Sequence, residues 1–130
     1  MLVRQRLLVL FACFSIGTLL VLFNLTKGTG EPAAIPTPTL EVTAEMQGRD
    51  LILQLKTEHF RFSRAKMGQD NVYGEGHAHL YVDGRKVAKI FGHRYVLPDL
   101  PPGTHRIKVE LAHHDHTPYG VAQTLDVTVK

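Results

Sequence analysis

The sequence has no tryptophan and a single cysteine, Cys13, which lies inside an apolar run near the amino terminus. The rest of the chain can therefore form no intramolecular disulfide and no thiolate metal site. Any metal centre there must draw on imidazole, carboxylate, backbone or thioether ligands. A concentrated basic footprint is also missing. The net charge is +3, but Arg4, Arg6 and Lys27 flank the apolar run, and from Leu40 onwards twelve Lys or Arg face eleven Asp or Glu. Nucleic-acid binding is excluded on that balance. No internal repeat occurs, no helical period appears beyond the apolar run, and 130 residues leave room for one domain.

The apolar run itself, Leu7 to Leu25, is 19 residues without charge, about the length needed to cross a bilayer as a helix. Arg4 and Arg6 before it place the amino terminus in the cytoplasm and send the rest across. Residues 1–25 read as an uncleaved signal anchor, because a cleaved leader has a shorter core followed directly by a small-residue site. Two other readings stand beside it: cleavage near Pro32-Ala33-Ala34, and lipid attachment at Cys13. The second conflicts with the dozen apolar residues that continue past the cysteine. Residues 26–39, TKGTGEPAAIPTPT, read as a Gly/Pro/Thr tether. The expected location is the cytoplasmic (inner) membrane, single-pass, with the carboxy-terminal domain on the periplasmic side.

From Leu40 the hydropathy pattern acquires period two, the signature of half-buried strands. Leu40, Val42, Ala44 and Met46 alternate with polar residues, Gln47-Gly48-Arg49 supplies a turn, and DLILQLKT returns. Gly76 to Val82 is a further strand that ends on Asp83-Gly84, a strong hairpin signal. Arg85–Phe91, His93–Leu97, a strand around Ile107, Val109 and Leu111, and a last one with Leu125, Val127 and Val129 complete the set. About seven short strands with frequent turn signals predict a small antiparallel immunoglobulin-like β-sandwich over residues 40–130.

Histidine is what the chain has in excess. All eight, at positions 59, 77, 79, 93, 105, 113, 114 and 116, fall after residue 58. In GEGHAHLYVDG (74–84) strand alternation puts Ala78, Leu80 and Val82 towards the core and projects His77 and His79 together outward. Their Cβ atoms are then about 6.5–7 Å apart, close enough for two imidazoles to converge on one ion, and neutral imidazole suits zinc, copper and nickel. A second group, His113-His114-Asp115-His116, follows a strand end. His114 and His116 are candidate third and fourth ligands, with Asp115 as a ligand or an orienting partner and Glu75 as a spare carboxylate. His93 and His105 read as surface positions, His59 as a neighbour of Phe60, and Met67 as a gap-filler rather than a copper-binding thioether.

The segments EHFRF (58–62), GEGHAHLYVDG (74–84), YVLPDLPPGTHRIKVEL (95–111) and HDH (114–116) resemble a family of small bacterial secreted or membrane-anchored β-sandwich domains of unknown function, marked by a G-H-A-H-x-Y-V-x-G strand. The resemblance covers roughly residues 55–117. It implies a β-sandwich with an extracytoplasmic, metal-related role, and its motif positions here are His77, His79 and His116. The family pattern has asparagine where this chain has His59 and His114, which moves His116 ahead of His114 as third ligand.

Three functions follow as expectations. The first is a membrane-tethered extracytoplasmic domain that binds copper or zinc through His77, His79, His116 and His114. The second is a non-catalytic adaptor that docks an envelope protein, in one variant responding to pH through its histidines. The third is a metal-dependent hydrolase; only Glu75 and Asp115 offer acid/base chemistry for it, so the chain is expected not to be an enzyme.

Overall fold

The computed structural model describes Gly30 and residues 32–130. The expected membrane helix and the first part of the tether lie outside the described residues. Among those described, no helix is long and apolar enough to cross a membrane. Gly30 and residues 32–35 carry no regular secondary structure and are exposed, whereas Pro36–Lys130 forms a compact unit of its own.

That unit is all-β. Its strands are β1 (Thr39–Gln47), β2 (Asp50–Glu58), β3 (Arg61–Phe62), β4 (Glu75–Val82), β5 (Arg85–Ile90), β6 (Arg94–Leu97), β7 (Gly103–Ala112) and β8 (Pro118–Val129). β1, β2 and β6 make a three-stranded sheet in that order; the second sheet runs β3-β4-β7-β8, with β5 also paired to β4. β7 takes one edge of β4, from His77 to Val82. β3, parallel, and β5, antiparallel, therefore share the other edge in succession.

Alternation in the sequence becomes layering in the structure. Leu40, Val42, Leu51, Leu53 and Leu55 of the first sheet meet Ala78, Leu80, Ile107, Val109, Leu111, Val127 and Val129 of the second in a single buried cluster, which makes the domain a β-sandwich. Both expected hairpins form. Gln47 pairs with Asp50 across a two-residue turn, and Val82 pairs with Arg85 across Asp83-Gly84, whose φ values of 50° and 83° are those of the type I′ turn that matches strand twist.

β5 departs from simple alternation. Leu80 pairs with Ala88 but Tyr81 pairs with Lys86, so Val87 is an extra residue in a bulge. Strict alternation would have turned Lys86 to the same face as Ala88 and Ile90, into the core. The bulge resets the phase, a common use of this device next to functional sites, and places Lys86 and Lys89 on one outer face.

Candidate metal centre

Alternation holds on β4 as expected: Ala78 and Leu80 enter the sandwich core, and His77, His79 and Tyr81 take the opposite face of the sheet. The expectation that this face is open to solvent is corrected. His77 is 0% and His79 2% exposed, because the outer face of β4 is itself packed over. The Phe91 ring lies 5.5 Å from the His77 ring, and the Arg64 guanidinium stacks 4.1 Å above Phe91. Arg64 belongs to the 63–74 connection, which is pinned to the same end of the sheet by Lys66 on Glu75 at 2.9 Å and by Gly68 N–H donating to the His114 carbonyl at 2.7 Å.

The third imidazole comes from the 113–117 turn. His113 N–H donates to the Thr117 carbonyl at 2.8 Å and His116 N–H to the His113 carbonyl at 2.9 Å. The Asp115 carboxylate accepts from Thr117 N–H at 3.0 Å and Oγ1 at 2.6 Å, and Asp115 N–H donates to the Asn71 side chain at 3.1 Å. This turn holds His116 at φ 71°, a left-handed conformation uncommon for a residue with a side chain, and delivers its ring to the strand pair.

The geometry at the meeting point is specific. His77 Nε2 is 2.9 Å from His79 Nε2 and 3.1 Å from His116 Nδ1, and one nitrogen from each of the three rings lies within 4.8 Å of the others. A neutral imidazole nitrogen carries either one N–H or one lone pair. His77 Nε2 therefore cannot form proper hydrogen bonds to both partners, while three converged lone pairs suit a single cation. Burial, the repulsion of the other rings and nearby Lys89 hold the His77 pKa down at about 4; burial, then Lys86, His116 and Lys89, against a raising influence of Glu110, bring His79 to about 4 as well. Both strand imidazoles are thus neutral and available as ligands at neutral pH.

His114 is not brought to this point. It is fully buried, with Nε2 3.5 Å from the Glu75 carboxylate, and neither of its ring nitrogens has a hydrogen-bond partner. Asp115 is taken up by Thr117, and Glu75 by Lys66. His59 is exposed at φ 56° and His93 caps the Leu55 carbonyl at 2.9 Å; neither belongs to the group. His105 is better tied than a plain surface position, with Asp83 on one ring nitrogen and the Pro101 carbonyl on the other.

Sequence reasoning missed Phe91, Arg64 and the bulge at Val87. The bulge had a visible signal: in RKVAKI (85–90) lysine occupies a position of core parity, which a regular strand does not tolerate.

Tyr119 is a further unanticipated element. Its hydroxyl accepts from Gly74 N–H at 3.0 Å and donates to the Glu75 carbonyl at 2.7 Å, and its ring stacks on His113 at 3.6 Å. It thereby joins the start of β4, two residues before His77, to the turn that carries His116. The Gly74–Gly76 approach is tight enough that a Cβ on Gly76 would collide with the Ala112 carbonyl oxygen.

No family model and no curated protein matches the chain. Among solved structures it is similar to the fibronectin(III)-like modules of Clostridium thermocellum CbhA, at 16% identity and TM-score 0.48 over 71% of this chain and 97% of that one. It is also similar to the M60 catalytic domain of Clostridium perfringens ZmpC in complex with the sialyl T antigen, at 10% identity and TM-score 0.46, and to the central fibronectin-III array of RIM-binding protein, at 15% identity and TM-score 0.44. These two similarities cover 76% and 70% of this chain but only 17% and 35% of the chains matched.

Proposed function

We propose that this protein is a membrane-tethered, extracytoplasmic metal-binding domain that holds one copper or zinc ion on His77, His79 and His116. The observation that carries the reading is the convergence of two ring nitrogens, His79 Nε2 and His116 Nδ1, on His77 Nε2, in contacts that proton sharing cannot satisfy together. The tether of residues 26–39 and the apolar run before it supply the placement outside the membrane. The immunoglobulin-like sandwich provides the rigid strand pair, and the turn after β7 closes the site. Sequestration or transfer of the ion fits this arrangement better than hydrolysis, since both candidate carboxylates, Glu75 and Asp115, are engaged elsewhere.

The test is titration of the full chain with Zn(II) and Cu(II), followed by elemental analysis, beside a His77→Ala, His79→Ala double variant. One equivalent bound by the wild type and none by the variant is expected. Equal binding by the two proteins sinks the reading.

A docking module for an envelope protein is the second reading. It is favoured by Met67, Val72 and Tyr73, large apolar side chains exposed together on the 63–74 connection.

A further inference from the structure

Three imidazoles leave the choice of ion to what surrounds them, and here the surroundings are cationic. On antiparallel strands directly paired residues share a face. Lys89 is paired with His79, and the Val87 bulge brings Lys86 to the same face opposite Tyr81. Lys86 and Lys108 both lie over the Tyr81 ring, at 5.9 and 5.2 Å from its centroid, and Arg64 lies over Phe91 on the His77 side. Two carboxylates oppose them: Glu110, paired with His79 on β7, lies 3.5 Å from Lys108 and the two offset one another, and Glu75 is held by Lys66, so the positive field rests on Lys86, Lys89 and Arg64. No carboxylate or thiolate joins the three nitrogens in the cluster found among the described residues.

We propose that this setting makes the site selective for Cu(I) over Zn(II), with Lys86 and Lys89 adding to a preference that the three-nitrogen ligand set begins. The inference rests on the metal-site reading above and deepens it. The work of bringing an ion into a positive field scales with the charge of the ion, so a divalent cation meets twice the opposition a monovalent one does. Coordination number points the same way. Cu(I), a filled-shell ion, is content with two or three nitrogen ligands, whereas Zn(II) in a closed structural site takes four. His77 and His79 are excluded from solvent, so a fourth ligand for Zn(II) would have to enter from the turn side, past the less buried His116.

Lys86 and Lys89 are exposed on the edge strand, so their replacement leaves the core untouched. The experiment measures Cu(I) affinity of the full chain anaerobically, against a chromophoric Cu(I) chelator, and Zn(II) affinity against a fluorescent Zn(II) chelator. The same measurements are made on the Lys86→Gln, Lys89→Gln double variant and on the His77→Ala, His79→Ala variant. Wild-type protein should prefer Cu(I) by at least about 100-fold. The lysine variant should tighten Zn(II) by about tenfold and Cu(I) by only about threefold, the ratio expected of charges of two and one, and the differences should shrink at high salt.

Zn(II) binding as tight as Cu(I), or an equal shift of both ions in the lysine variant, overturns the selectivity proposal while leaving the site intact. If neither Cu(I) nor Zn(II) binds the wild type better than the His77/His79 variant, the site itself is removed, and the selectivity with it.

Discussion

The His105 ring is clamped between two acceptors: Nδ1 lies 2.7 Å from the Asp83 carboxylate and Nε2 2.6 Å from the Pro101 carbonyl. Only the doubly protonated imidazolium donates at both nitrogens, so the contact with Asp83 is an ion pair, and it ties the β4–β5 turn and the 98–102 connection to β7.

The first prediction follows from that clamp. The bond to Asp83, then that to the Pro101 carbonyl, raises the His105 pKa, and the bonds from His105 and Arg106 lower that of Asp83. A raised histidine pKa contributes stability that is complete below the ordinary value of 6.5 and is lost as pH rises through the shifted one. The depressed Asp83 contributes above its ordinary value of 3.8 and is lost on acidification. An NMR titration should show His105 titrating above a free histidine, and Asp83→Asn should bring it down. An unchanged His105 titration in the variant contradicts the clamp.

The strand histidines should behave oppositely. His77 and His79 have pKa values depressed from 6.5 to about 4, so the unfolded chain takes up protons that the folded one refuses. Stability of the metal-free protein is then full above pH 6.5 and falls as pH drops towards 4, by the order of 3 kcal/mol for the coupled pair. Urea midpoints at pH 7 and pH 4.5, measured with chelator present, read this out. The His77→Ala, His79→Ala variant should show a visibly smaller pH slope than the wild type.

His116 and His114 should separate cleanly despite being two residues apart. Removing His116 deletes one of the three converging nitrogens, and His116→Ala should weaken metal binding by at least about 100-fold. His114 faces Glu75 from a buried position, so His114→Ala should keep metal affinity within about threefold while lowering stability through the cavity it leaves. A reversed order of affinities would make His114 the ligand.

Gly76 should be intolerant of any side chain. Because a Cβ there collides with the Ala112 carbonyl, Gly76→Ala must push β4 away from β7 next to His77, at a cost of roughly 2 kcal/mol or more. Thermal unfolding measures it; a midpoint matching the wild type would show the strands are less closely apposed.

Tyr119→Phe removes only the hydroxyl that joins Gly74 and Glu75. A loss of about 1–2 kcal/mol is expected, with metal affinity reduced as the start of β4 and the His116 turn lose their common anchor. Denaturant titration and the metal titration on the same sample report both effects.

Much of this was legible in the sequence through two regularities. Period-two hydropathy identified the strands that supply the core, and the turn dipeptides at Gly48-Arg49 and Asp83-Gly84 set the register of both hairpins. The same alternation put His77 and His79 on one face. It could not show that this face is covered, because burial of an outer face depends on Phe91, Arg64 and the 63–74 connection, which are distant in sequence and carry no periodic signal.

The sequence by itself determined an all-β domain, a pair of histidines two apart on one strand, and a further histidine group placed after a strand end. Local rules of alternation and turn chemistry suffice for that. The family resemblance ranked His116 ahead of His114, but the tertiary structure is what brings the first to the pair and keeps the second away, since two residues of one turn point to different places once Thr117, Asn71 and the left-handed backbone at His116 fix it. It also decided the charge around the site. Lys86 and Lys89, which alternation assigns to opposite faces, stand on the same one because a single bulged residue shifts the strand's phase.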